Sequence, residues 1–417
     1  MSCKNKNRIM NNLWAIGEEI KQVDIAGYGY LDIIKSNRYL HIFDAVKDFR
    51  QAGKISYKLS DLLMMAFLVI LENGKGAYFS IADYLSVEKD KYTELGLIHD
   101  GNVPSHDTFR RIFELLDADS LYNQTLNAFY HFLQDLEKSI PSNKRLHHYS
   151  VDGKVIRGSG RVSTTLKPQA NLAMLNIYDD SLMTCFCSEP IDAKTNEIPV
   201  SQKILRELCL SKVVVTADAL HCQKETAKII SKKRGIYVLA VKENQSGLFE
   251  EMKTRFTSDK YKVRSREYEN RFLEYLFLPK GYATDGFTGM KVFIKMTSHK
   301  RKTPCIRYFI SNSDDEELIA EAIDSRWEIE DAFHKRKDEV LNEDCLRSTN
   351  KNALHNLALI NNLIISLINL YAAISKREFR HARIYISNHP NECLNTILAV
   401  MDSQEIIEEI KSRLRKS

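Results

Sequence analysis

Two aspartates and a glutamate, far apart along 417 residues, stand where a folded chain could bring them together. Asp218 closes Val213-Val214-Val215-Thr216-Ala217, a short β-branched run of the kind that forms a fully buried strand. In open α/β sheets, sites gather at the carboxyl edge where such strands end. Asp152 follows Tyr149-Ser150-Val151, which alternates apolar and polar as a strand does. Glu330 lies in Arg326-Trp327-Glu328-Ile329-Glu330-Asp331-Ala332-Phe333-His334-Lys335-Arg336-Lys337. On a regular helix Glu330 falls about 40° from Arg326 and Lys337 about 20° from Glu330, so the three predict one narrow stripe. Glu328 points about 200° away from Arg326, which selects Glu330. The plainer alternative is a surface helix with an Arg326–Glu330 ion pair, and two aspartates serving as turn or cap residues.

Carboxylates arranged this way suit phosphodiester chemistry. That reaction needs an activated water, a stabilised phosphorus centre and a protected leaving oxygen, which two Mg²⁺ ions about 3.5–4 Å apart supply together. Mg²⁺ takes hard oxygen ligands and few carboxylates, keeping positions for phosphate and water. A neighbouring cationic stripe would hold DNA phosphates or the glutamate itself.

Competing chemistries find less support. Ser105-His106-Asp107 cannot be a triad, because triads assemble from separate segments; Ser105 instead predicts the N-cap of a helix carrying Phe109, Ile112, Phe113 and Leu116. The eight cysteines form no C-x-x-C pair and lack zinc spacing. Cys185 and Cys187 share a strand face and read as packing. Free thiols in a large chain point to a reducing cytoplasm.

The elements that must position these residues divide the chain. Its size predicts two or three domains, and 44% hydrophobic with 28% charged residues describes a folded protein. After an N-terminal extension (1–29), residues 30–140 read as a helical domain. A linker at Ile140–Lys144 leads to a catalytic domain over 145–417. There the order is strand, hairpin (Leu172–Tyr178 and Leu182–Cys187), helix, strand, helix, strand. It predicts an α/β sandwich on a mixed sheet, antiparallel first and parallel later. A basic β-rich insertion covers about 246–315; within it Lys253–Lys302 holds thirteen Lys/Arg against five Asp/Glu, interleaved with Tyr261, Tyr268, Phe272, Tyr275 and Tyr282. That mixture suits a phosphate backbone with exposed bases, and equally a solvated basic face over core aromatics. A helical region completes the chain. Leu62–Leu71 is too short to span a bilayer, and Leu357–Ile374 is broken by Asn361, Asn362 and Asn369. No membrane association is expected.

These residues resemble a known family. Arg326-Trp327-Glu328-Ile329-Glu330 with Lys337 looks like the Tyr-Arg-Glu-Lys signature of bacterial insertion-sequence transposases, DDE enzymes with an RNase H-like core. More narrowly the chain resembles the H-repeat-associated (ISAs-type) transposases. The supporting segments occur in order: Pro104-Ser105-His106-Asp107-Thr108-Phe109-Arg110-Arg111-Ile112-Phe113, Asp152-Gly153-Lys154-Val155-Ile156-Arg157-Gly158, Lys194-Thr195-Asn196-Glu197-Ile198-Pro199, Thr216-Ala217-Asp218-Ala219-Leu220-His221-Cys222-Gln223, and Tyr237-Val238-Leu239-Ala240-Val241-Lys242-Glu243-Asn244-Gln245. Two departures stand out. Ile323 occupies the signature's tyrosine position, and Arg266-Glu267-Tyr268-Glu269-Asn270-Arg271 only loosely matches the family's His-Gly-Arg-x-Glu-x-Arg stretch.

The resemblance implies cut-and-paste transposition of an insertion sequence. Asp152, Asp218 and Glu330 would hold Mg²⁺, with Mn²⁺ able to substitute. Cleavage at the element end would free a 3′-OH for attack on target DNA. Arg326, Lys337, Lys154, Arg157, Asn244 and Gln245 would contact DNA, with Asn196 and Glu197 as further candidates for strand positioning. The partners implied are the element's terminal inverted repeats and target DNA, bound by a homodimer in the nucleoid-associated cytoplasm. The alternatives are a catalytically inactive, transposase-derived DNA-binding regulator and a metal-dependent nuclease that cuts without joining.

Overall fold

The computed structural model describes residues 38–51, 53, 55–138, 146–160, 170–191, 196–268, 271–282, 286–298 and 304–402. The expected 1–29 extension and the Ile140–Lys144 linker lie outside them, as do Lys194, Thr195, Glu269 and Asn270.

The first helices are α1 (Leu59–Asn73), α2 (Tyr78–Val87), α3 (Lys89–Glu94), α4 (His106–Leu115), α5 (Ala118–Tyr122) and α6 (Ala128–Lys138). Leu62–Leu71 of α1 is buried on every side, as a helix apolar all round must be. Ser105 caps α4 as expected, its hydroxyl accepting from the Thr108 N–H at 3.3 Å.

Next come β1 (His147–Ile156), β2 (Leu172–Asp179), β3 (Thr184–Ile191), α7 (Glu197–Glu207), β4 (Val213–Ala217), α8 (Lys224–Lys232), β5 (Ile236–Val241) and α9 (Ser246–Thr257). Strands β1, β2 and β3 pair antiparallel, while β1–β4 and β4–β5 are parallel. The order β3-β2-β1-β4-β5 is the mixed sheet of an RNase H-like core. Val213, Val215 and Ala217 face one core and Val214 the other, which explains the unbroken apolar run of β4.

The basic segment forms β6 (Arg264–Tyr268), β7 (Arg271–Phe277), β8 (Val292–Ser298) and β9 (Cys305–Ser311). It is not a lobe apart. Strand β9 pairs antiparallel with β5, so one nine-stranded sheet runs from β3 to β6. Its aromatics divide by the strand period: Tyr275 is buried, whereas Phe272 is 40% and Tyr261 38% exposed.

The chain then forms α10 (Glu316–Glu328), a π-helical turn (Ile329–His334), α11 (Lys335–Leu341), α12 (Lys351–Ile374), α13 (Phe379–Asn388) and α14 (Pro390–Asp402). Helix α12 is long and apolar enough to cross a membrane, but 94% of its apolar window is buried inside the protein. The first and last helices share one core that also takes in Ile156, Leu172, Met174 and Tyr178 of the sheet.

Asparagines along α12 supply its docking contacts, Asn352 and Asn356 before the apolar run and Asn369 within it. Asn356 Nδ2 donates to the Phe113 and Leu116 carbonyls, both at 3.0 Å, and Asn352 Nδ2 donates to those of Glu114 and Leu116. Carbonyls at a helix C-terminus lack intrahelical donors, and these amides supply them. Asn369 Nδ2 reaches the Met183 carbonyl at 2.7 Å, tying α12 to the sheet. Replacing Asn356 by Leu keeps the volume but strands the Phe113 carbonyl, since that of Leu116 still accepts from Asn352. It is expected to destabilise the protein by roughly 2 kcal/mol, read as a lowered urea midpoint; an unchanged midpoint would mean these bonds carry no net stability.

Candidate active site

The register of two parallel strands creates the site. Val151 of β1 pairs with Ala217 of β4, the last paired residues between them. Asp152 and Asp218 are the next residues on each strand, so they stand side by side about 5 Å apart along the sheet. Asp152 differs from expectation in one respect. It lies inside β1, which continues to Ile156 paired with β2 alone. Asp218 turns the chain into a short 3₁₀ turn, its Oδ1 accepting from the N–H groups of Leu220 at 2.9 Å and His221 at 3.4 Å.

Glu330 comes from the π-helical turn after α10. Its Oε1 lies 3.4 Å from Arg326 Nη2, the expected i,i+4 pair. The wider π turn shifts the register, and single π turns inside helices recur at functional sites. The stripe predicted for a regular helix is therefore broken at Lys337. That lysine is 1% exposed and binds Glu343 Oε1 at 2.7 Å. The side chain of Glu328 lies outside the described residues. Ile323 is 1% exposed in the core beneath β4 and β5, so a side chain at the signature's tyrosine position faces the core here.

Glu197, expected only as a strand-positioning residue, joins the carboxylates. A Cβ on Gly153 would overlap the Glu197 carboxylate where it now lies, so glycine leaves room for the close approach. Glu197 Oε2 lies 3.4 Å from His221 Nε2, and Asn196 caps α7 by accepting from the Ile198 N–H.

Burial pushes the Asp152 carboxyl up to about 7, with the charges of Glu330, Asp218 and Glu197 adding to the rise and Arg326 opposing it. Among the described residues no three His, Cys, Asp or Glu side chains are gathered tightly enough to hold a metal ion. The donors nevertheless fit a hard divalent cation in kind, being carboxylates of which Asp152 feels the charge of the other three. A cation between them would remove that repulsion.

Sequence reading missed the residue behind Asp152. His334 Nδ1 lies 3.5 Å from Asp152 Oδ2. Its Nε2 faces Asn176 Nδ2 at 3.1 Å, and Asn176 pairs directly across from Asp152 in the β1–β2 register. Burial and the cations Lys337 and Lys154 lower His334 to about 3, keeping the ring neutral. The available signals were the i,i+4 spacing from Glu330 and the hairpin register.

The remaining candidates divide between support and surface. Lys154 is 7% exposed and pairs with Asp338 and with Glu343 Oε2, the latter at 3.4 Å. With Lys337 it therefore neutralises a buried glutamate rather than reaching DNA. Asn244 Nδ2 donates to the Ala219 carbonyl at 2.6 Å and Gln245 Nε2 to that of Cys222 at 2.9 Å, fixing the turn that Asp218 opens. Arg157 stays 83% exposed although its Nε lies 3.5 Å from Asp344 Oδ2.

Lys337→Met leaves the buried Glu343 with half its compensation and is expected to cost about 3–5 kcal/mol in chemical denaturation. Unchanged stability with weakened DNA binding would return Lys337 to the DNA interface. The pH dependence of Asp152 has a definite sign. Its folded-state pKa is raised, so stability is full below about pH 4, where the unfolded chain also keeps the proton, and is lost as pH rises through about 7. In metal-free protein Asp152→Asn should therefore raise the melting temperature at pH 8 and change little at pH 4. A substitution equally neutral at both pH values would show that the carboxylates do not crowd one another.

Comparison with known proteins agrees with this geometry. Residues 147–367 match the family model described as "Transposase DDE domain", and residues 40–129 match the "DDE_Tnp_1-associated" model. The "H repeat-associated putative transposase YhhI" of Escherichia coli K12 is 24% identical over 364 residues, covering 81% of this chain and 92% of that protein. The "Putative transposase YncI" of Escherichia coli O157:H7 is 26% identical over 357 residues, covering 79% and 86%. A solved piggyBac transposase synaptic complex with hairpin DNA is 14% identical at a TM-score of 0.39, covering 92% of this chain and 82% of that one; this last likeness carries no weight below. With its family model spanning the sheet, the carboxylates and α12, the chain belongs to the DDE transposases, in the H-repeat-associated family.

Proposed function

We propose that this transposase moves an insertion sequence by cut-and-paste, with Asp152, Asp218 and Glu330 holding two divalent cations. The observation that carries the proposal is the register placing Asp152 beside Asp218, with Glu330 close enough to raise the Asp152 carboxyl. Mg²⁺, or Mn²⁺ in its place, would supply charge stabilisation at the phosphorus and an acidified water.

The chain's own residues set the stage for that chemistry. The β1–β4 pairing fixes the two aspartates, and Glu197, seated on Gly153, is a further oxygen donor beside Asp152. The neutral His334 ring abuts Asp152 Oδ2 and limits where that carboxylate can swing. Arg326, shared with Glu330, and the exposed Arg157 would position DNA phosphates. The first cut would free a 3′-OH, and the same arrangement would direct that hydroxyl at target DNA. Holding two element ends together calls for two copies of the chain, working at the nucleoid.

The test is excision of a plasmid-borne element carrying the gene's own flanking ends, by purified wild type and Glu330→Gln with Mg²⁺. Excision by wild type, and its loss by 10³-fold or more in a variant that still binds DNA, is the expected result; 10³ is of the order that removing one transition-state-stabilising group costs. Binding without cutting by either protein would support the regulator reading. Excision surviving in Glu330→Gln would remove Glu330 from the site.

A further inference from the structure

The charge of the basic strands is mostly paired with carboxylates of the same chain, in good part at its surface. Arg264 pairs with Glu316, Arg266 with Glu317, Arg271 with Asp324, Lys291 with Asp314 and Lys295 with Glu274. Arg307 of β9 differs. It makes no ion pair among the described residues, and its guanidinium lies over the Trp327 ring, 4.1 Å from the centroid. Arg326, four residues before Glu330, approaches the same ring at 5.2 Å.

We propose that Arg307 and Arg326, held by Trp327, form a binding site for a backbone phosphate of the DNA strand entering the carboxylate site. The inference rests on the transposase reading above. A guanidinium over an indole keeps its N–H fork available in the plane while the stack fixes its orientation. That fork matches the paired oxygens of a phosphate. The ring serves as the cations' platform, which favours a phosphate over a stacked base as the ligand. Trp327 adds a second observation: among the described residues its buried Nε1–H has no hydrogen-bond acceptor. A buried donor left unpaired is costly, and an anion drawn to the two guanidiniums would bring an acceptor to it.

The site's place follows from the sheet. Strand β9 pairs with β5 and β5 with β4, which ends at Asp218. Arg307 therefore stands two strands from Asp218 and three from Asp152 in a hydrogen-bonded frame. Arg326 divides its charge between Glu330 and the ring. Arg307, which no carboxylate offsets, is the member with most charge to offer.

The test is fluorescence-anisotropy binding of a labelled duplex, copied from the sequence flanking the gene, to the full chain across a salt series. Wild type, Arg307→Ala and Arg307→Lys are compared. Arg307→Ala should weaken binding about tenfold and reduce the slope of log affinity against log salt by about one, the signature of one lost phosphate contact. Arg307→Lys should keep the wild-type slope, since the charge remains, while losing part of the affinity with the fork and stack. Wild-type binding unchanged in both variants would overturn the phosphate site and leave the transposase reading standing. Failure of wild type to bind the duplex would overturn both. A weaker Arg307→Ala with an unaltered salt slope, alongside a lowered thermal midpoint, would make Arg307 a stacking residue only and also overturn the proposal.

Discussion

Everything in this molecule is arranged around a repulsion. The β1–β4 register sets two aspartates side by side, and Glu330 and Glu197 add like charge to the same place. Left to itself such a cluster would spread apart or take up protons. It does neither freely, because the residues bearing it are held by backbone pairing, a cap and a packed helix. Asp152 cannot leave without breaking β1–β2 pairs, and Asp218 is bound to the turn it caps. Burial raises the Asp152 carboxyl most, and the neighbouring carboxylates add their repulsion to that rise.

The restraint reaches well beyond the carboxylates. Glu343 is wholly buried, yet two lysines and Asn361 surround it. Lys154 comes from β1 and Lys337 from α11, so this compensated charge ties the strand of Asp152 to the helices following Glu330. Breaking such a cluster leaves an unpaired charge in the interior, which makes the tie nearly all-or-none. Gly158 serves the same junction. A Cβ there would collide with the carbonyls of Asp344 and Leu346, so only glycine lets the turn after β1 approach the loop beside Glu343.

Much of this was legible in the sequence because it depends on local pattern. The β-branched run ending in Asp218, the hairpin after Asp152 and the Ser105 cap are short-range signals, and each appears where it was expected. The fate of Lys337 was not legible, since regular helix angles placed it beside Glu330 and only tertiary packing produces the π turn that moves it. Lys154 and Lys337 read as DNA contacts because a sequence displays charge but not the buried Glu343 that consumes it. The basic segment read as a β-rich insertion of the same domain, its composition suiting a phosphate backbone and a solvated basic face equally. That its β9 pairs with β5 and extends the one sheet is a long-range fact that composition does not carry.

That last feature bears on how a strongly acidic site can receive a polyanion. Phosphates approaching four carboxylates meet repulsion unless cations stand close by, yet cations free to move would collapse onto the carboxylates and neutralise them. A continuous sheet resolves the conflict by geometry. Hydrogen bonding from β4 through β5 to β9 sets the separation, and the Trp327 ring holds Arg307 where it pairs with no carboxylate among the described residues. The ion pairs along β6–β8 serve the same end, since Asp324 and Glu316 at α10 tie down Arg271 and Arg264 and leave them less able to compete for the site. Positive charge is thus retained at the edge of the site while the carboxylates remain available for a metal.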